Sequence, residues 1–152
     1  MNLYLVRHGE AEAEHIDPKH PLTQKGREDV RKVAHQLKER NISVPVIYHS
    51  GKKRAEETAQ IIAQTINPEC RLVKKNNLSP NDAIEPMVQE IQQLTQDCMI
   101  VGHLPFVSKL ASQILCGHEE RKVIPFRAGC AAILTREKEE CWELKEIISP
   151  FM

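Results

Sequence analysis

Three places in the chain concentrate residues able to do chemistry. Arg7-His8-Gly9-Glu10 follows the apolar run Leu3 to Val6. His49 and Ser50 follow the run Val44 to Tyr48, with Arg54 shortly after. Gly102-His103 follows Cys98 to Val101. Two guanidiniums offer forked donors that match the oxygens of a phosphoryl group. One imidazole can attack phosphorus, and the other can stabilise charge on the equatorial oxygens. Gly9, with no side chain, is expected to let the main chain approach an anion closely. A helix starting after His103 would add N–H groups and partial positive charge.

These residues can meet only if the elements before them lie side by side. Leu3 to Val6 shows no alternation, as in a strand covered on both faces. Val44 to Tyr48, Arg71 to Val73 and Cys98 to Val101 read as further strands. Val30, Val33, Ala34 and Leu37 form a helical stripe within Lys25 to Arg40. Ala55, Ala59, Ile62 and Ile66 form another within Lys52 to Ile66, stopped by Asn67-Pro68. A third helix after the turn Ser79 to Asp82 would bury Ile84, Val88, Ile91 and Leu94. A fourth, opened by Pro105 and stopped by Gly117, would bury Val107, Leu110, Ala111 and Ile114. Cys130 to Leu134 and Cys141 to Ile147 read as a hairpin turning over Arg136 to Glu140. The order β-α-β-α-β-α-β-α-β-β predicts an α/β three-layer sandwich, with a mostly parallel sheet and helices on both faces. Ligands then bind beyond the carboxyl ends of the strands, where all three clusters fall.

The 152 residues suit one domain spanning 1–152. Lys and Arg number 21, as do Asp and Glu, so the formal charge is zero and a nucleic-acid partner is not expected. No run approaches a membrane span, and the opening residues lack a signal peptide's basic region. The expectation is a cytoplasmic monomer. Five widely spaced cysteines without a C-x-x-C read as free thiols. His15, His20, His35, His49 and His118 show no metal-ligand spacing, so neither metal nor cofactor is expected. His35 reads as solvated, and His49 as a candidate lining residue of the pocket. Lys52 and Lys53 form a basic rim, either solvated or guiding an acidic phosphoprotein. Trp142 is expected to pack in the last hairpin.

The clusters resemble the motifs of the histidine phosphatase (phosphoglycerate mutase-like) superfamily. Arg7-His8-Gly9-Glu10 matches its signature, and Pro21-Leu22-Thr23-Gln24-Lys25-Gly26 its P-L-T-x-x-G. Ser50 to Thr58 resembles its S-x-x-x-R-A-x-x-T, and Val101-Gly102-His103-Leu104-Pro105 its second-histidine motif. The resemblance runs from residue 1 to about 135. It implies that His8 is the nucleophile that becomes phosphorylated, and that Arg7, His8, Arg54 and His103 form the phosphate pocket. Gly51 stands where many relatives have proline, a turn change that leaves Arg54 in register. Larger relatives cover the site with a long insertion after the third strand. Here only Lys74 to Asn81 separates that strand from the next helix, so an open pocket without a large capping insertion is expected. Length and the H-L-P motif are similar to the small SixA-type phosphohistidine phosphatases. A phosphorylated protein is then the implied substrate.

Such chemistry calls for an acid on the leaving atom. Asp17, Asp82 and Glu10 are candidates. The resemblance ranks Asp17 first, since small relatives carry an aspartate shortly before P-L-T. Asp17 could equally be a solvated loop residue, and Asp82 a helix N-cap. Imidazole leaves more readily than an alkoxide, so phosphohistidine makes the smallest demand on an acid. The other readings are a small-molecule phosphomonoesterase with the same site and a non-catalytic phosphoprotein-binding module. Mutase activity fits least, because no cap retains a released intermediate.

Overall fold

The structure, a computed structural model, describes residues 1–138 and 141–151. The elements are β1 (Asn2–Arg7), α1 (Gln24–Glu39), β2 (Val46–His49), α2 (Lys53–Ile66), β3 (Arg71–Lys74), α3 (Glu85–Gln92), β4 (Cys98–Gly102), α4 (Phe106–Cys116), β5 (Ala131–Lys138) and β6 (Cys141–Ile148). They form one sheet in the order β3-β2-β4-β1-β5-β6. The first four strands in that order are parallel, β5 runs antiparallel to β1, and β6 runs antiparallel to β5. The α/β expectation holds.

Alternate side chains of each central strand go to opposite faces, so uninterrupted apolar runs feed two cores. Tyr4, Val6, Ile47, Met99 and Val101 pack with Val30, Val33, Ala34 and Leu37 of α1 and with Ala55, Ala59 and Ile62 of α2. Leu3, Leu5, Cys98 and Ile100 pack with Met87 and Ile91 of α3 and with Phe106, Val107, Leu110 and Ala111 of α4. The sheet is therefore the middle layer of three. Trp142 joins the second cluster as expected.

Several boundaries differ from the sequence reading. Pro45 precedes β2 and so removes no ladder hydrogen bond. Asp82 does not cap α3. Its Oδ2 accepts the Ser79 N–H at 2.9 Å and closes a turn, while Ile84 occupies the N-cap without a side-chain bond. Val88 and Leu94 are only partly buried. Pro105 is the N-cap of α4, and Gly117 caps its end at φ 82°. Strand β5 continues through Arg136, past the expected end at Leu134. Residues 136–138 of the expected turn belong to β5, and residues 139–140 lie outside the described residues. Only residues 75–84 join β3 to α3, so no large insertion follows the third strand.

Candidate active site

The carboxyl end of β1 is clamped on both sides. Arg7 aligns with Gly102 of β4, and the His8 N–H donates to the Gly102 carbonyl at 3.0 Å. On the other side the Arg7 N–H donates to the Cys130 carbonyl at 3.0 Å, and the Gly129 N–H donates to the Arg7 and His8 carbonyls at 3.1 and 3.0 Å. Because β1 and β4 end together, the residues just past them become neighbours. The His8 and His103 rings lie 5.0 Å apart, tilted by 53°.

The loop after His8 is held by α1 and α2. Gly9 is buried, and a Cβ on it would sit 2.7 Å from Val30 Cγ2 and 3.1 Å from the Gly26 carbonyl oxygen. Its missing side chain therefore serves close packing on α1, which corrects the expectation that it clears space for an anion. A Cβ on Gly26 would lie 2.1 Å from the Glu10 carbonyl oxygen. The Gly9 N–H donates to Thr58 Oγ1 at 3.1 Å, and that hydroxyl donates to the Arg54 carbonyl at 2.7 Å. Glu57, also buried, accepts the Leu22 N–H at 2.9 Å and pairs with Arg27. Thr58 and Glu57 thus tie α2, which carries Arg54, to the segments flanking the signature.

The tautomer of His8 follows from its partner. Nδ1 lies 2.7 Å from the Gly9 carbonyl, which can only accept, so Nδ1 carries the proton and Nε2 the lone pair. Burial pushes the His8 pKa down to about 4, against the Gly9 hydrogen bond, and the charges of Arg54, Arg7 and His20 add to the depression. Burial, then His8, Arg54 and Lys52, push His103 down to about 3. Both rings are neutral at pH 7. Burial also lowers the Arg7 and Arg54 pKa values. Arg7 Nη1 donates to the Phe126 carbonyl at 3.0 Å. Among the described residues, two buried side-chain nitrogens have no partner, Arg7 Nε and His103 Nδ1.

The structure therefore brings Arg7, His8, Arg54 and His103 together. Asp17 is half-buried in the loop after β1, and its Oδ1 accepts the Lys19 N–H at 3.0 Å. Glu10 is exposed, and its Oε2 accepts the Thr23 hydroxyl at 3.1 Å. His49 is buried, and its Nδ1 accepts the Gly51 N–H at 3.1 Å. Lys52 and Lys53 are exposed, and Lys52 is near enough to depress His103. His35 pairs with Glu39 on the exposed side of α1. No cluster of three or more potential metal ligands occurs among the described residues. Residue types alone left three contributors without a role. Ser50 Oγ lies 2.6 Å from His103 Nε2. Thr58 is the second. The third, His20, has a positive φ of 49°, sits 3.9 Å from Glu14 and adds its charge to the field at His8. The S-x-x-x-R-A-x-x-T spacing held the signal for the first two. A backbone turn that no residue type announced brings in the third.

A mostly parallel sheet with two histidines and two arginines at one carboxyl edge makes an α/β protein whose site chemistry suits a phosphoryl group. The chain belongs to the histidine phosphatase superfamily (branch 1), whose family model matches residues 3–79. It is similar to phosphohistidine phosphatase SixA of Escherichia coli (strain K12), 25% identical over 122 residues that cover 77% of this chain and 76% of SixA. It is also 34% identical to a 2,3-bisphosphoglycerate-dependent phosphoglycerate mutase of Bartonella bacilliformis over 88 residues, 53% of this chain and 42% of the mutase. The fold matches the tungstate complex of protein histidine phosphatase SixA with a TM-score of 0.88 at 23% identity, over 99% of this chain and 98% of that one. Alpha-ribazole phosphatase from Shigella flexneri matches at 0.76 and 16% identity, over 99% and 97%. No helix among the described residues is long and apolar enough to cross a membrane.

Proposed function

We propose that this chain is a phosphatase that hydrolyses phosphohistidine on a protein through a phosphorylated His8. One observation carries the phosphoryl reading. The buried nitrogens without partners, Arg7 Nε and His103 Nδ1, flank the histidine whose Nε2 holds a free lone pair. A buried donor without an acceptor is costly, and an oxyanion held against His8 would satisfy both.

His8 Nε2 forms a bond to phosphorus as the bond from phosphorus to the substrate nitrogen breaks. Arg7, Arg54 and His103 hold the equatorial oxygens, and the departing imidazole takes a proton. Asp17 is the proposed donor of that proton. Water then attacks the phosphorus of phospho-His8 and gives a proton back to Asp17, releasing inorganic phosphate and restoring the ring. The short connection from β3 to α3 leaves room for a folded protein, and the similarity to SixA supports that substrate class.

The test compares a phosphorylated histidine phosphotransfer domain with sugar phosphates, with para-nitrophenyl phosphate as control. The expected kcat/KM for the phosphoprotein exceeds that for sugar phosphates by at least about 100-fold, within the range by which pocket contacts separate substrates. Radioactive phosphate should be trapped on the wild type and not on His8→Ala. Faster turnover of a sugar phosphate would assign the site to small-molecule phosphomonoesters. Phosphate binding with no turnover of any substrate would make it a binding module.

A further inference from the structure

Ser50 sits at the turn between β2 and α2, outside the four residues assigned to the phosphoryl group. Its Oγ lies 2.6 Å from His103 Nε2 and accepts the Lys52 N–H at 3.3 Å. The turn itself is pinned. The Gly51 N–H donates to the buried His49 Nδ1 at 3.1 Å, and Gly51 has a φ of 87°. His103 is 1% exposed, so its ring must settle its proton among protein groups.

Two arrangements are open to a neutral ring. If Nε2–H donated to Ser50, the half-buried serine proton would have no acceptor within the protein and Nδ1 would present a buried lone pair. A lone pair facing a phosphoryl oxygen repels it. If Ser50 donates to Nε2 instead, every proton between Lys52 and His103 has an acceptor, and Nδ1 keeps a hydrogen. That nitrogen is the unpartnered atom of His103.

We infer that Ser50 is a positioning residue that fixes His103 as the Nδ1–H tautomer, so that a neutral ring meets the phosphoryl group as a donor. The chain runs from Lys52 N–H to Ser50 Oγ, from Ser50 O–H to His103 Nε2, and from His103 Nδ1–H to the bound oxygen. It rests on His103 being a phosphoryl ligand, but the tautomer itself can be read without any substrate.

Two-bond 1H–15N correlation spectra of the resting protein report which His103 nitrogen carries the proton. The wild type should show it on Nδ1, and Ser50→Ala should show a mixture of tautomers. Inorganic phosphate should shift Nδ1 of the wild type more than Nε2. In turnover, Ser50→Ala should lower kcat about 10–100-fold, by analogy with loss of a partner that orients a metal-bound imidazole. KM should change much less, and Ser50→Thr, which keeps the hydroxyl, should recover most of the rate. A wild-type proton on Nε2 would overturn the inference, whatever the variants do. So would a Ser50→Ala protein with unchanged tautomer and unchanged kcat. A correct tautomer in a protein that hydrolyses no phosphohistidine would instead sink the proposed function and leave the role of Ser50 intact.

Discussion

Single side chains at this site are separable by the kind of charge each one meets. In the proposed mechanism Arg54 and Arg7 donate to the equatorial oxygens of the transferring phosphoryl group. Arg54→Ala is expected to lower kcat about 10²–10³-fold, the cost of one transition-state donor. Arg54→Lys should recover only part, because a point charge cannot fork. Wild-type kinetics in Arg54→Ala would remove that residue from the pocket. Asp17 is tested by varying the leaving group, since help from an acid scales with the charge developing on the departing atom. Asp17→Asn should slow a sugar phosphate strongly and para-nitrophenyl phosphate little, with phosphohistidine near the latter. Equal slowing of all three would make Asp17 a loop residue, consistent with its bond to the Lys19 N–H. Arg7, His8, Arg54 and His103 were legible in the sequence because each stands at a strand end or one turn beyond it. Ser50 and Thr58 were legible only as motif letters. Their roles lie in contacts between elements, and spacing along one chain does not encode which hydroxyl faces which ring. Asp82 shows the opposite failure: a good capping residue used its carboxylate on the preceding turn instead.

At the scale of elements, α1 and α2 work as braces for the loop that follows β1. The sequence made both helices clear through their apolar stripes, and the buried set of each confirms the period. It did not show that Gly9 and Gly26 face each other across the brace, because Gly9 reads alone as room for an anion and Gly26 as a motif letter at the entry to the first helix. Gly26→Ala places a Cβ 2.1 Å from the Glu10 carbonyl oxygen, so α1 must move away from the signature loop. Its expected cost is about 1–3 kcal/mol of stability, as for other overpacked contacts, together with a fall in kcat. Gly117→Ala is the contrast. Nothing lies within 4 Å of its Cβ, and only the φ of 82° opposes it. The expected loss is about 1–2 kcal/mol, with kcat unchanged, since that residue ends α4 away from the site. Urea midpoints beside kcat distinguish the two. If Gly26→Ala lost stability alone, the brace would have no part in aligning His8.

Across the whole molecule the buried histidines make stability depend on pH. In the fold His8 titrates at about 4 and His103 at about 3, whereas the unfolded chain protonates its histidines near the ordinary value of 6.5. Between those values the unfolded state binds more protons, so stability falls as pH falls from about 6.5 towards 4. The contribution is fully present above 6.5. Urea midpoints measured from pH 7.5 to 4 should decline, and His8→Gln should flatten part of the slope. A variant with the wild-type slope would show that His8 is not held neutral by the fold. The sheet order bears on assembly as well. Strand β1, which brings Arg7 and His8, pairs with β4 and β5, and its Leu3 to Cys98 alignment joins residues about 95 positions apart. Contacts this remote in sequence place folding towards the slower end of small domains. On the ribosome β1 emerges well before either partner strand and has nothing to pair with. A nascent chain that stops short of β5 holds all four candidate pocket residues but leaves one edge of β1 without its partner strand, so the clamp on both sides of Arg7 closes only when Gly129 to Ala131 arrive.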